Sequence, residues 1–403
     1  ACQHVAMGCC TNFLDLCRQA GLTDALRCDR TLFFIGPEGD RAACTPSRLL
    51  PAPLHLAPLL LGMRHFSTGE KLALGMGMLR LARGGDSVAG CTALEWLEAV
   101  GQPERVIRLF WQPVLESALG ESITLVSTDA ARKVAVDAFL AHRDAADLHV
   151  PTVPLGELFG ERLVSWLAVG GVAVESGQAV GGLERSAAGR VVAVRCGDRR
   201  IACDAVIVAV PWRQAARLLP DLVPSADERL AGSPITAVHL WFDREVLDLP
   251  HAVLVGRVSQ WAFRHDPGDG RQSGYCQVVI SASRGVADDR EALLTTVVAE
   301  LRETFPRARD AVLLDARVVT DPTAVLSVRP GVEAVRPPAT TSVENLFLAG
   351  DWTATGWPST MEGAVRSGRL AAAAVGRHLG IPLAGVTPDL PRNPLVRFLV
   401  GRR

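Results

Sequence analysis

The residues whose types and spacing could do chemistry cluster near the C-terminal end of the chain. Gly350 and Asp351 follow the apolar run Leu346–Ala349, which predicts a buried strand. Ser359 and Glu362 then stand three positions apart before a helical pattern, at the spacing of a capping box. A carboxylate at a strand end can accept hydrogen bonds from ligand hydroxyls, and bare helix amides attract an anion or an electron-rich carbonyl. The spacing fits a ligand-binding turn and an ordinary strand–helix unit equally well.

The residue types in this stretch are more specific than the spacing. Strand, Gly-Asp, loop and the helix start Thr-Met-Glu-Gly-Ala resemble the C-terminal flavin signature of the FAD-linked amine oxidase and phytoene desaturase superfamily. The resemblance implies that FAD is the cofactor, that Asp351 binds its ribityl or pyrophosphate part, and that amides near Thr360 and Met361 face the pyrimidine edge of the flavin. It also implies a backbone contact from Val174. The implied cofactor-binding residues are Val174, Gly350, Asp351, Ser359, Thr360, Met361 and Glu362.

The same resemblance implies an α/β fold of the FAD-linked oxidoreductase type. We expect a discontinuous Rossmann-like FAD domain and a substrate domain that mixes helices with an antiparallel sheet. No G-x-G-x-x-G fingerprint occurs in the sequence, so we expect the first βαβ unit of the FAD domain to be missing, as in a fragment or a truncated protein. The expected boundaries are 1–10, 155–232 and 340–380 for the FAD domain, 11–154 and 233–339 for the substrate domain, and 381–403 for a tail.

Composition limits the classes of partner the protein can bind and indicates the cellular compartment. The net charge of −1 argues against a nucleic-acid partner held by bulk charge, and no run of about 18 apolar residues predicts a membrane-spanning helix. The ten cysteines show no C-x-x-C pair and no zinc spacing, so we expect no metal site and reduced thiols in the cytoplasm. The apolar stretch Leu49–Gly62 predicts either a core-packed segment or an entry lip that touches a membrane, peripherally at the inner membrane.

Periodicity predicts the elements around the motif. The chain predicts a hairpin from Thr31–Ile35 and Arg41–Thr45, and a frayed end or surface anchor over Asn393–Arg403. The other predicted helices cover 11–20, 72–81, 93–100, 105–111, 128–142, 155–168 and 290–304. The other predicted strands cover 172–174, 180–183, 191–194, 205–210, 237–242, 252–255, 276–280 and 312–319.

A second resemblance narrows the function. The segments QHVAMGCCTNFLDLCRQAGL, LLPAPLHLAP, FWQPVLESALG and DAVIVAVP are similar to those of the hydroxysqualene dehydroxylases of hopanoid biosynthesis. The resemblance implies flavin-dependent removal of the hydroxyl of hydroxysqualene, giving squalene. The departing hydroxyl needs a proton, for which His4 is the candidate donor, and Gln3 could orient the alcohol. Possible substrate contacts are His55, Trp111, Trp241 and Trp261, although packing in the core is the more common role for a buried aromatic residue.

Two other functions stay open at this point. The first is a flavin-dependent desaturase or oxidase of another isoprenoid, such as a carotenoid precursor. The second is a truncated isoprenoid-binding protein that performs no catalysis. The sequence leaves the electron donor and the oligomeric state open.

Overall fold

The computed structural model describes residues 2–84, 90–223, 227–265 and 274–400. The strands are β1 (Ala6–Met7), β2 (Leu26–Asp29), β3 (Leu32–Ile35), β4 (Arg41–Cys44), β5 (Leu148–Pro151), β6 (Gly182–Arg185), β7 (Val191–Cys196), β8 (Arg199–Ala202), β9 (Val206–Val208), β10 (Gly232–Phe242), β11 (His251–Leu254), β12 (Trp261–Arg264), β13 (Tyr275–Ser281), β14 (Leu313–Leu326) and β15 (Leu346–Leu348). The α-helices are α1 (Thr11–Gln19), α2 (Ala57–Gly62), α3 (Thr68–Arg83), α4 (Ala93–Ala99), α5 (Glu104–Val106), α6 (Gln112–Leu119), α7 (Thr128–Lys133), α8 (Leu163–Val169), α9 (Trp212–Leu218), α10 (Arg290–Thr304), α11 (Met361–Leu379) and α12 (Pro394–Val400). Wider π-helical turns occupy Ile107–Trp111, Val134–Leu140 and Gly156–Arg162.

A seven-stranded sheet forms the centre of the described molecule, in the order β14-β10-β13-β12-β11-β3-β4. Neighbouring strands are antiparallel except for β11 and β3, which run parallel with Val253 opposite Phe34. The predicted hairpin is confirmed as the pair β3–β4, and it extends the sheet. Strand β12 was not predicted, because the four residues of WAFR give too short a pattern to show a period.

One face of this sheet packs on α10, whose predicted bounds agree with the structure. Val238 and Leu240 alternate along β10 and are buried against Val297 and Leu301 of the helix. Asp289 caps α10 by accepting from the backbone of the first turn. The opposite face carries Leu32, Phe34 and Val253 into a second core that the helices from α2 to α7 complete.

A hydrogen bond between Asp29 and His251 joins the small sheet β1-β5-β2 to the large one. Asp29, at the end of β2, accepts from the ring of His251 at 3.2 Å and from the guanidinium of Arg27 at 2.8 and 3.0 Å. Burial raises the pKa of Asp29, but the hydrogen bonds from His251 and Arg27 outweigh it and lower the pKa to about 2. The carboxylate is therefore stable in its ionised form between the two sheets.

The motif strand β15 pairs in parallel with β9, with Leu346 opposite Val206. Asn345, which is buried, forms two hydrogen bonds with the backbone of Val191 in β7, at 2.7 and 3.0 Å, and donates to the carbonyl of Asp204, just before β9, at 2.9 Å. The strand predicted over Val172–Val174 is wrong: residues 172–181 are exposed and carry no regular structure. A strand needs a neighbour to pair its backbone groups, and none of the described residues supplies one there.

The C-terminal segment is not frayed over its described part. Residues 381–393 lie along α1 and α11, and Thr387 exchanges backbone hydrogen bonds with the side chain of Asn12 at 2.8 and 3.1 Å. Helix α12 then follows, and its Val396 and Val400 are buried against Ala52 and neighbouring residues. The prediction of a frayed end is therefore wrong for 393–400, because long-range partners hold the segment.

Candidate functional site

The site begins at a turn that only glycine can make. Gly350 has φ +134°, and a Cβ there would lie 2.3 Å from the indole nitrogen of Trp352. Trp352 is fully buried and donates to the carbonyl of Val210, just beyond β9, at 3.0 Å. The amide of Gly350 donates to the hydroxyl of Ser367 on α11 at 2.7 Å. The strand end, the turn and the helix are thus fixed relative to one another.

A buried guanidinium organises the loop between Asp351 and α11. Arg336 donates to the carbonyl oxygens of Trp357 and Asp351 at 2.7 and 2.8 Å and pairs with Glu333 at 2.6 Å. Satisfying loop carbonyls from one side chain gives the loop a single conformation. Arg336 could not be recognised from the sequence, since its partners are 15 and 21 positions away.

Helix α11 begins one residue later than predicted. Thr360, not Ser359, is the N-cap, and its hydroxyl accepts from the amide of Gly363 at 3.2 Å. Ser359 instead donates to the carboxylate of Asp351 and accepts from the amide of Leu326 at 3.1 Å. The capping box is therefore wrong. The Ser359 cap and the capping box were both predicted from local spacing. In the fold, the carboxylate of Asp351 and the backbone of β14 hold the Ser359 hydroxyl instead.

Glu362 has a different role from the one its spacing predicted. It is fully buried, and its carboxylate accepts from the amides of Asn12 and Phe13 at 3.2 and 2.8 Å and from the Asn12 side chain at 2.8 Å. These amides lie in the first turn of α1, where a negative charge is favourable. Glu362 thus joins the start of α1 to the start of α11.

A cavity of about 240 Å³ opens beside the start of α11. Most of its wall is apolar and comes from the sheet and the helices. The lining residues include Gln3, Phe34, Lys133, Asp137, Val253, Trp261, Phe263, Trp357, Thr360, Met361 and Glu362. Such a cavity binds an apolar ligand through its walls and orients it through a few polar groups.

The charged groups of the wall form one cluster. Lys133 Nζ lies 2.6 Å from the carboxylate of Asp137 and 4.4 Å from the ring centre of Trp357. Arg392, from the C-terminal segment, holds the other oxygen of Asp137 at 2.9 Å. This cluster was not predicted from the sequence. The spacing of Lys133 and Asp137, one helical turn apart, was the available signal.

The structure brings together part of the predicted site. Gln3, Trp261, Thr360, Met361 and Glu362 all line the cavity. Gly350 and Asp351 do not line it, although they border the loop that does.

The remaining predicted residues lie elsewhere. His4 is absent from the cavity wall, and its Nδ1 lies 2.9 Å from the carbonyl of Cys2. The side-chain hydrogen bond with Cys2 raises the pKa of His4 against the effect of burial. His55 is buried, and burial lowers its pKa.

The three predicted tryptophans lie in different parts of the structure, and Val174 is exposed. Trp111 is buried and donates to Gln102 at 2.9 Å, as a core residue does. Trp241 lines a second cavity, of about 420 Å³, with His239 and Tyr275. The functional roles of these residues stay predictions.

Comparison with known proteins decides the family. The model of the flavin-containing amine oxidoreductase family matches residues 3–376. The chain belongs to this family. A relative from tomato (Solanum lycopersicum), a 15-cis-phytoene desaturase, is 25% identical over 402 residues, covering 92% of the chain and 68% of the relative. The hydroxysqualene dehydroxylase of Sinorhizobium fredii is 36% identical over 180 residues, 44% of the chain and 40% of that protein.

Solved structures of two amine oxidases share the fold. Cyclohexylamine oxidase from Brevibacterium oxydans superposes with a TM-score of 0.63 at 18% identity, covering 93% of the chain and 86% of that structure. Putrescine oxidase gives 0.62 at 15% identity, with 94% and 87% covered. The α/β FAD-linked oxidoreductase fold is therefore confirmed, and the family member described here is an FAD-dependent oxidoreductase.

The residues at the cavity fit FAD, the cofactor of the family. Met361 and Glu362 open α11, where amides have no acceptor within the helix, and both line the cavity. The indole nitrogen of Trp357 is buried and has no hydrogen-bond partner among the described residues. These donors suit the carbonyl-bearing edge of an isoalloxazine.

No described helix is long and apolar enough to cross a membrane. No described group of three His, Cys, Asp or Glu side chains is arranged to hold a metal ion.

Proposed function

We propose that this family member is a reductive dehydroxylase that converts hydroxysqualene to squalene in hopanoid and isoprenoid biosynthesis. The observation that carries the proposal is the cavity beside α11, whose wall is apolar except for a few polar groups, Lys133 and Asp137 among them. A long hydrocarbon with a single hydroxyl has the same division between apolar and polar parts. The dehydroxylase of Sinorhizobium fredii, similar over 180 residues, supports this choice.

The reaction replaces a hydroxyl by hydrogen and releases water, so it needs one hydride and one proton. Reduced FAD, when bound, supplies the hydride. The chain supplies the walls: Phe34, Val253 and Phe263 bind the isoprenoid arms and keep water from the reacting carbon. Gln3, on the same wall, orients the hydroxyl.

Lys133 is the proton donor that the geometry supports best. Its ammonium lies on the cavity wall, and Asp137 and the face of Trp357 hold it there. The Lys133–Asp137 pair is partly buried, and removing a charge pair from water costs desolvation energy. Its position in an apolar wall therefore favours a substrate that carries a polar group. His4, nominated from the sequence, is the alternative donor, although only its neighbours Gln3 and Val5 line the cavity.

A desaturase of a carotenoid precursor is the second candidate. The tomato 15-cis-phytoene desaturase, similar across 92% of the chain, favours it. Desaturation of a hydrocarbon removes hydrogen and needs no proton donor for a leaving hydroxyl. The charged cluster would then be structural, and the reaction would not depend on Lys133.

The test uses purified, FAD-loaded protein reduced anaerobically and mixed with hydroxysqualene in detergent. Squalene, measured by mass spectrometry, should form as the absorbance of oxidised flavin returns. In a second reaction, FAD-loaded protein that is left oxidised and mixed with phytoene should introduce no new double bonds. Desaturation of phytoene without conversion of hydroxysqualene would overturn the proposal, and a chain that retains no flavin would point to an isoprenoid-binding protein without catalysis.

Variants assign the proton donor. Lys133→Met should slow single-turnover flavin reoxidation by at least about 100-fold, the usual contribution of a general acid. Lys71→Met is the matched control, because Lys71 is the other lysine of the chain and lies outside the cavity. A normal rate in Lys133→Met together with a slow rate in His4→Ala would transfer the role to His4.

We place this reaction in the cytoplasm, at the surface of the inner membrane. All ten cysteines are free thiols, as in a reducing compartment. Burial raises the pKa of Cys44 to about 12 and of Cys17 to about 11, so both thiols stay neutral there.

A further inference from the structure

Large apolar side chains are exposed together on the outer side of the helices that follow β4. Leu49 is 94% exposed, Leu61 72% and Leu72 64%, whereas leucines of the chain's core are below 10%. We call six of these exposed residues the docking face: Leu49, Leu50, Leu54, Leu61, Leu72 and Met76. Exposed apolar side chains in such a group mark an interaction surface rather than chance exposure.

Helical spacing and one hydrogen bond relate four residues of the docking face to one another. Leu54 and Leu61 are seven positions apart in consecutive helical turns, which places them on one side. The carbonyl of Leu61 accepts from Lys71 Nζ at 3.0 Å, next to Leu72. Leu72 and Met76 are four positions apart on α3 and share one face. The leucines of α2 therefore continue into the apolar stripe of α3.

Exposed arginines flank the apolar residues of the docking face along the chain. No Asp or Glu occurs between Asp40 and Glu70, while Arg48 and Arg64 in that interval are exposed. Arg143 is also exposed and donates to the carbonyl of Arg48 at 3.2 Å. Cations that border an apolar surface suit the anionic headgroups of a bilayer, which attract each nearby Lys or Arg.

We propose that the docking face binds the surface of a bilayer that contains anionic lipids. The leucines enter the boundary between headgroups and acyl chains, and Arg48, Arg64 and Arg143 pair with lipid phosphates. The inference rests on exposure and charge, so it holds whichever isoprenoid the enzyme converts. Its consequence for the enzyme follows from packing: Leu59 of α2 and Leu74 of α3 face the core that contains the cavity wall. Docking would place that wall next to the membrane, where isoprenoids dissolve.

Vesicle flotation of the full FAD-loaded chain tests the proposal. Wild-type protein should float with phosphatidylcholine vesicles that contain phosphatidylglycerol, and less with phosphatidylcholine alone. Leu49→Ser/Leu54→Ser/Leu61→Ser should lower the partition coefficient at least about tenfold, since each exposed leucine loses apolar burial. Arg48→Gln/Arg64→Gln should remove the dependence on phosphatidylglycerol. Leu72→Ser/Met76→Ser provides an independent variant on α3.

Matched controls carry the same changes elsewhere on the surface. Val169→Ser/Val312→Ser/Leu314→Ser alters three exposed apolar residues away from the docking face, and Arg217→Gln/Arg309→Gln alters two exposed arginines. Both should float as wild type does. Absence of wild-type flotation, or equal loss in control and docking-face variants, would overturn the proposal. So would a dimer in sedimentation that the leucine variant abolishes while vesicle binding is unchanged, because the face would then pair with a second copy.

Discussion

Replacement of Glu362 tests whether the start of α11 is held by the contacts described above. Glu362→Ala would leave the amides of Asn12 and Phe13 and the Asn12 side chain without their acceptor. Each buried donor left unsatisfied costs about 1–3 kcal/mol, and removing the carboxylate also relieves the cost of burying a charge. We expect a net loss of about 3–5 kcal/mol. Glu362→Gln keeps one acceptor oxygen and should lose about 1–2 kcal/mol.

The expected shift in melting temperature follows from chain length. An unfolding entropy of about 2.1 cal/mol/K per residue gives about 0.85 kcal/mol/K for 403 residues. Glu362→Ala should therefore melt about 4–6 °C below wild type, and Glu362→Gln about 1–2 °C below it. The alanine variant should also bind FAD more weakly, because Glu362 lines the cavity.

Calorimetry on flavin-free and flavin-loaded protein measures both effects. Glu228→Ala, on an exposed surface, is the control and should melt with wild type. A melting temperature of Glu362→Ala within about 1 °C of wild type would refute the clamp between α1 and α11. Unchanged FAD affinity in a destabilised variant would restrict the role of Glu362 to structure.

Three further predictions use other parts of the structure. Gly363→Ala would place a Cβ 2.5 Å from a backbone oxygen and should lower the stability by about 1–3 kcal/mol. Gly368→Ala, which has open space around its Cβ position, should raise the stability by up to about 1 kcal/mol. Denaturant titrations measure both changes. The ionised Asp29 carboxylate, whose pKa is lowered to about 2, stabilises the fold above about pH 4, and about 2 kcal/mol of this stability is lost as the pH falls to about 2. Asp29→Asn should lack this pH-dependent stability. In acid unfolding, the stability of the variant and that of wild type should therefore converge between about pH 4 and pH 2. N-ethylmaleimide at about pH 8 should label exposed Cys28 in the native protein. Burial raises the pKa of Cys276 to about 12, so this thiol should react only after unfolding. Mass spectrometry of peptides measures the labelling, and labelling of Cys276 in the native protein would contradict its burial.

Elements with a strong local period could be predicted from the sequence. Helix α10 matches its predicted bounds, and β15 and α11 differ by one or two residues, because apolar spacing and caps act within a few positions. The exact cap could not be predicted. Ser359 and Thr360 are both good caps, and the choice between them depends on Asp351 and β14, which local sequence does not reveal.

The contacts that build the site mostly join distant residues. Glu362 meets Asn12 across 350 positions, and Arg392 meets Asp137 across 255, so no window of sequence contains either pair. The family signature indicated that Thr360 and Met361 line a site, and they do line the cavity. It gave no information on Lys133, because that residue lies outside the signature.

The scarcity of lysine gives the cavity a chemical label of its own. Lys71 and Lys133 are the only lysines among 403 residues, and the second is covered by Asp137 and the ring of Trp357. An acylating reagent such as acetic anhydride therefore has very few amines to modify. Acetylation at Lys133, followed peptide by peptide, would report cavity occupancy without a substrate assay, and Lys71 would serve as the internal reference.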